Sequence, residues 1–289
     1  MFKFLYNRYN LFLTLLYFFL LAFGIFFIES FKKEKVELYK ERENALLAQS
    51  ITKQQQVLIR EKQETTLAMA VALSQNISFK DALISGSKEA VNLKEITEDF
   101  TTGTMYKNVW IQLIDAKGKS FARSWSDKSG DDLHTIREDI QIILKDRKLL
   151  STISVGIFSI SFKSMVPISD KKELIGVLEG ITHFNSLQKK LQEQNINSIV
   201  LVDKKYANRL TNSLTKTFID GYYVANFDAN TALIELLKNG GVETFINSKL
   251  PYHVAEKKLV VSSNIYNNSS EIIGYFIALA PTPVKESVL

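Results

Sequence analysis

The 289-residue sequence contains no cysteine. Disulfides, cysteine-ligated zinc, iron–sulfur clusters and thiol nucleophiles are excluded together, although the compartment is not fixed by this. Histidine is scarce too. His134, His183 and His253 fall in different segments with no ligand spacing between them, so no metal site is read and no cofactor is called for. Gly-x-Ser-x-Gly, His-Glu-x-x-His and the P-loop are all missing, which leaves a membrane-tethered hydrolase or transferase without its nucleophile and base. The chain therefore reads as a non-enzyme. There is also no basic stripe interleaved with aromatics. The 36 Lys and Arg residues are spread along the chain against 31 Asp and Glu, a net charge of +5, which argues against a nucleic-acid partner. Finally, Ser30 to Gln75 contains neither proline nor glycine.

What is present begins with Leu11–Ile28, eighteen residues without a charge, bounded by Arg8 and by Glu29, Lys32 and Lys33. As a helix it rises roughly 27 Å, close to the ~30 Å hydrocarbon core of a bilayer. A signal peptide would be shorter and end at a small-residue cleavage site, whereas FFIESFKKEK is bulky and then charged. The stretch reads as an uncleaved transmembrane anchor following a 1–10 cytoplasmic N-terminus. Lysines and arginines cluster on its C-terminal side, but long domains translocate largely regardless of charge, so the charge pattern leaves orientation open.

Residues 29–75 are rich in Glu, Lys, Gln, Ala and Leu, all good helix formers. Val36, Tyr39, Leu46, Leu47, Ile51 and Leu58 recur at spacings of three, four and seven, and the register slips before Leu67 and Val71. One long helix is expected, pairing with a second copy to form a homodimer and then packing on a domain. Residues 76–100 read as shorter helices broken at SGS (85–87).

The period then changes to two. VWIQLIDAKGK (109–119) is a strand with an Asp turn, SFARSW (120–125) the returning strand, and SGDD (129–132) caps a helix carrying Leu133, Ile136, Ile140 and Ile143. VGIFSISFKSMVPI (155–168) reads as one long strand paired through DKKE with LIGVLEGITHF (174–184). The pattern then restarts at INSIVLVDKKY (196–206). ELIGVLEGI (173–181) and EIIGYFIAL (271–279) share Glu-x-Ile-Gly and an apolar run. This is an internal repeat of two modules in the same strand order. The expected class is α+β: transmembrane helix 11–28, stalk helix 29–75, a first antiparallel-sheet module 76–185, a second 186–281 and a tail 282–289.

VWIQLIDAKGKSFARSW, SGDDL with Arg137, FSISFKSMVPI and ELIGVLEG, in that order behind a transmembrane segment and a long helix, resemble the double Cache extracytoplasmic sensor domains. These belong to bacterial chemoreceptors, sensor histidine kinases and diguanylate cyclases. The resemblance implies two tandem PAS-like modules and a single-pass inner-membrane protein with its large domain periplasmic. It also implies a small-molecule ligand in the membrane-distal first module, and a cytoplasmic kinase or cyclase as output partner. The family's carboxylate binders carry Arg-x-Ser-His and Ser-x-Arg; here stand Arg123-Ser124-Trp125 and Ser161-Phe162-Lys163, with Trp125 in place of an imidazole.

The residues themselves are compatible with that reading. Alternation puts Arg123 and Trp125 on one face, Ser161 and Lys163 on one face, and Trp110 with Gln112. Arg123, Trp125, Lys163, Ser161, Trp110 and Asp131 are the candidate ligand contacts, suited to a carboxylate or other small anion. Each has a plainer reading. Arg123 is equally an ion-paired surface residue, the tryptophans packing residues, and Asp131 and Asp132 helix caps with Arg137 as their partner. The alternative function is a membrane-tethered assembly or protein-interaction module. The chain stops at PTPVKESVL without a second span or an output domain, so it is expected to be an input half.

Overall fold

The computed structural model describes residues 12–89, 91–104, 106 and 108–283, together with the helical backbone of 2–11. Of the expected tail, residues 284–289 lie outside the described residues, as do the side chains of the 1–10 segment. Helix α1 (Phe2–Ser74) carries the stretches expected as anchor and stalk without interruption. It is long and apolar enough to cross a membrane, and none of its apolar window is buried, unlike the core helix of a soluble protein. Further along, α1 turns one stripe inward: Ala48, Ile51, Gln55, Leu58, Lys62, Thr66, Ala70 and Ser74 are buried. The spacing is three or four throughout, the helical period. The apolar register slips in the sequence because this face carries Gln55, Lys62 and Thr66 in place of apolar residues. Tyr39 and Leu46, expected on the packed face, are about half exposed at 52 % each.

Helices α2 (Ile77–Ser85) and α3 (Leu93–Gly103) lead into the first sheet. Its strands are β1 (Trp110–Asp115), β2 (Ser120–Arg123), β3 (Leu150–Val155), β4 (Ile160–Asp170) and β5 (Glu173–Thr182), in the order β2-β1-β5-β4-β3. Helix α4 (Glu138–Asp146) covers one face. Helix α5 (Asn185–Gln192) leads to the second sheet, whose order is β7-β8-β6-β11-β10-β9. Its strands are β6 (Asn197–Val202), β7 (Phe218–Ile219), β8 (Tyr222–Val224), β9 (His253–Ala255), β10 (Lys258–Tyr266) and β11 (Ile272–Pro281). Helices α6 (Thr231–Gly240) and α7 (Val242–Ile246) cover it. All described pairings are antiparallel.

The repeat has a physical basis. A Cβ on Gly176 would lie 2.5 Å from the carbonyl oxygen of Ile114, and one on Gly274 would lie 2.5 Å from that of Leu201. The shared Ile-Gly step thus lets a neighbouring strand's backbone approach in both modules. The order β1-β5-β4 recurs as β6-β11-β10.

Three local expectations are corrected. Strand β2 ends at Arg123, so Trp125 belongs to the following loop. The helix expected after SGDD begins only at Glu138; Asp132 instead accepts from Thr135 N within a turn at 3.2 Å, and no side chain caps α4. The 155–168 stretch is two strands, turned at Gly156, whose N–H donates to Ser159 O at 3.0 Å.

Candidate ligand-binding site

The first sheet has two buried faces set by strand alternation. Ile111, Leu113, Val166, Ile168 and Leu178 pack with Ala70 of α1, Phe79 of α2 and Leu93 of α3. Trp110, Gln112, Lys163, Glu179 and Ile181 share the opposite face, since Trp110 and Lys163 both pair with Ile181, and Gln112 pairs with Glu179. Arg123 joins them opposite Gln112. The lower part of this face is apolar: Ile114, Met165 and Val177 pack under Leu133 and under Ile140 and Ile143 of α4. The upper part is polar, and residues 124–137 run over it.

Arg137, at the start of α4, pins that segment to the sheet. Its Nη1 donates to Glu179 Oε2 at 3.0 Å and its Nη2 to Glu179 Oε1, while Nε and Nη2 donate to Asp139 at 3.0 and 2.8 Å. Glu179 is fully buried. Burial works against the Arg137 charge, but the two carboxylates outweigh it and hold the guanidinium protonated. Burial likewise pushes the Asp139 carboxyl up, and Arg137 overcomes this and holds it below the usual range. Arg123 makes the second pin, donating to Asp131 Oδ2 at 2.5 Å and to Lys128 O at 3.2 Å. That hydrogen bond keeps the Asp131 carboxyl low.

Lys163 differs from both arginines. It is 8 % exposed, and among the described residues it makes no hydrogen bond or ion pair. Burial first, and then the neighbouring Arg137 charge, lower its pKa, while Asp139 and Glu179 act against that from a distance. Further donors without partners among the described residues lie on the same sheet: Ser154 Oγ on neighbouring β3, Ser159 Oγ just before β4, Gln112 Nε2 two strands away on β1 and Arg123 Nε three strands away on β2. Buried polar groups are normally paired, so a cluster of orphaned donors on one face calls for an occupant rich in acceptors.

The aromatic wall completes the site. Trp110 and Trp125 stack at 4.8 Å with 20° between their planes, and Phe158 and His183 meet Trp110 edge-on at 5.2 and 4.9 Å. His183 Nδ1 donates to Asn108 O at 2.9 Å. Burial, reinforced by the charges of Lys62 and Lys163, lowers its pKa to about 4, so the ring is neutral near pH 7. Both indoles also border an open cleft of about 290 Å³ whose far wall is α3, with Thr97 and Thr101.

The candidate residues thus fall into two groups on one face. Trp110, Trp125, Arg123 and Asp131 are joined by stacking, a cation–π contact of 5.9 Å and an ion pair. Lys163 lies further across the sheet, with Ser161 one step along the same strand face. Asp131 is a partner of Arg123 rather than a helix cap. Arg137 partners Asp139 and Glu179, not Asp131 or Asp132. Sequence reasoning passed over Gln112, Glu179 and Arg137 as site residues; the signal available was Glu179, an acid inside an otherwise apolar strand. Among the described residues no three His, Asp or Glu side chains gather as a metal site.

The second module supplies an internal contrast. With Gly176 matched to Gly274, Glu179 corresponds to Ile277, Gln112 to Ile199 and Lys163 to Val260. All three counterparts are buried in the aliphatic core under α6 and α7.

A family model described as the double sensory domain of two-component sensor kinase matches residues 41–249, well over half of the chain. Solved structures resemble it at low identity. The domain of a sensory box/GGDEF family protein from Vibrio parahaemolyticus is 11 % identical, with a TM-score of 0.49 over 84 % of this chain and 97 % of that one. The V. cholerae histidine kinase DctB sensor domain is 14 % identical, with a TM-score of 0.45 over 83 % and 98 %. The ligand-binding domain of the Campylobacter jejuni chemoreceptor Tlp3, in complex with 4-methylisoleucine, is 15 % identical, with a TM-score of 0.46 over 83 % and 90 %. No curated protein matches the chain.

Proposed function

The chain belongs to the double Cache family of sensory domains, and from that premise we propose that it is a membrane-anchored receptor input whose first module binds a small carboxylate or related anion. The observation that carries this reading is the unpaired Lys163 with further unpartnered donors along the same sheet face. Lys163 and Gln112 stand on the covered face of the first sheet, whereas the matching positions of the second, Val260 and Ile199, are aliphatic. A carboxylate supplies the missing acceptors and the missing charge together.

In this reading Lys163, Arg123 and Gln112 meet the anion, Ser161 and the tryptophans line the remainder, and Asp131 holds Arg123 in place. The anchor is a single pass through the inner membrane, with the modules periplasmic and a cytoplasmic kinase or cyclase receiving the signal from a homodimer. Strand β5 offers one route from site to helix. Glu179 and Ile181 face the site, while Gly180 lies against Met69 and Ala70 of α1 and Thr182 meets Thr66 Oγ1 at 2.7 Å. Binding shifts the helix only by its differential affinity for two positions of that contact.

Thermal unfolding of the full chain in detergent, screened against carboxylates, amino acids, amines and purines, tests the reading. A ligand at a hundred times its Kd is expected to add about 2.7 kcal/mol. A carboxylate should raise the midpoint, and Lys163→Met should abolish the rise. Silence across every class would favour the assembly-module reading instead.

A further inference from the structure

The two tryptophans of the chain are stacked on one another at the edge of an open cleft. Trp110 is fixed. It sits in β1 with Phe158 and His183 against its edges. Trp125 is held differently: it follows Ser124, which is anchored to Ile111 by paired hydrogen bonds, and lies in a segment outside helix and strand. The pair borders the open cleft, and the guanidinium of Arg123, with its unpartnered Nε, lies 5.9 Å from the Trp125 ring. An aromatic surface therefore stands beside one acceptor-seeking donor, and Lys163 lies on the same sheet face two strands from Trp110.

We propose that the ligand is an aromatic carboxylate whose planar ring inserts between Trp110 and Trp125 while its carboxylate reaches Lys163 and Arg123. Inserting a flat ring removes one aromatic stack and creates two, because indole faces favour offset-stacked partners. An aliphatic chain of similar size breaks the same stack and restores only dispersion contact. The ring enters from the cleft side, and Trp125 moves with its loop while Trp110 stays in the sheet. This inference rests on the site reading above and specifies its ligand.

Because the chain has only these two tryptophans, the test is spectroscopic as well as thermodynamic. The full chain in detergent is titrated with benzoate and indole-3-acetate, and with cyclohexanecarboxylate and succinate as non-planar controls, by calorimetry, tryptophan fluorescence and near-ultraviolet circular dichroism. The aromatic acids are expected to bind at least tenfold more tightly than cyclohexanecarboxylate and to abolish the coupled signal of the stacked indoles. Trp125→Leu should reduce the preference to parity, with the far-ultraviolet spectrum confirming an intact fold. Aliphatic acids that bind equally well and depend on Lys163 would overturn the aromatic ring while leaving the carboxylate site standing. A preference that survives Trp125→Leu would also overturn it. Absence of carboxylate binding in every class would overturn the site and the ring together.

Discussion

Lys163 is a buried cation on the sheet face and Arg137 a half-buried one above it, yet removing their charges should have opposite effects. Arg137→Ala strands the fully buried Glu179 without its guanidinium, and an uncompensated buried charge costs about 3–5 kcal/mol. Lys163→Met removes a desolvated ammonium that pairs with nothing among the described residues and leaves an apolar chain of similar reach. Urea titration should show the first variant strongly destabilised and the second at least as stable as the parent. His183 is the pH-sensitive residue. Its folded pKa of about 4 lies below the 6.5 of the free side chain, because burial and then Lys62 and Lys163 disfavour its charged form. Stability from this group is complete above about pH 6.5 and is lost as the pH falls toward 4, about 3 kcal/mol in all. Denaturation at pH 7 and pH 4.5 should show that loss shrinking in His183→Gln. Lys163 was visible in the sequence as a lone charge in an apolar strand. Arg137 was not, because its partner Glu179 is 42 residues away and only the sheet brings them together.

Among the elements, the glycine steps separate tight backbone approach from loose packing. Gly176→Ala and Gly274→Ala would drive a methyl against a neighbouring strand's carbonyl, and overpacking of that kind costs about 1–3 kcal/mol. Gly180→Ala meets first the terminal methyl of Met69 at 3.1 Å, a flexible end that can turn aside. Its midpoint in urea should move far less than either of the others. The long helix, the repeated strand order and most hairpins could be read from period and turn residues. Three features could not. Trp125 continues the alternation of SFAR but lies in the loop; α4 starts at Glu138 although Leu133 and Ile136 keep a helical spacing; and the inward face of α1 carries Gln55, Lys62 and Thr66. Gln55 explains its own presence, donating to Phe276 O at 3.0 Å and accepting from Ser263 at 2.9 Å. A polar residue with a dedicated partner is invisible to a hydrophobic pattern.

On the scale of the whole molecule, the two modules are not separate beads. Phe162 of the first sheet, Phe184 before α5 and Phe276 of the second form a continuous aromatic chain, with centroids 4.4 and 6.2 Å apart. Their cluster also takes in Ala48, Ile51 and Leu58 of α1. Such a shared core predicts a single cooperative transition for both modules. Phe184→Ala should cost about 3–5 kcal/mol and split that transition in two, which differential scanning calorimetry would resolve. The sequence showed two modules through their repeat, but not this junction, since Phe184 stands just past the end of one repeat.

The grip of the second module on α1 has a mechanical corollary. Gln55 is clamped to the second sheet, Thr66 touches β5 beneath the candidate ligand face, and Ile28 ends the apolar run. At 1.5 Å per residue the arms on either side of Gln55 measure about 16 and about 40 Å. With no glycine or proline from Ser30 to Gln75 to act as a joint, a tilt of the helix about its contact with the second sheet would be transmitted as by a lever. A tilt that displaces Thr66 by 1 Å swings the membrane end by roughly 2.5 Å in the opposite direction. A shortened stalk would lose leverage while keeping its ligand affinity.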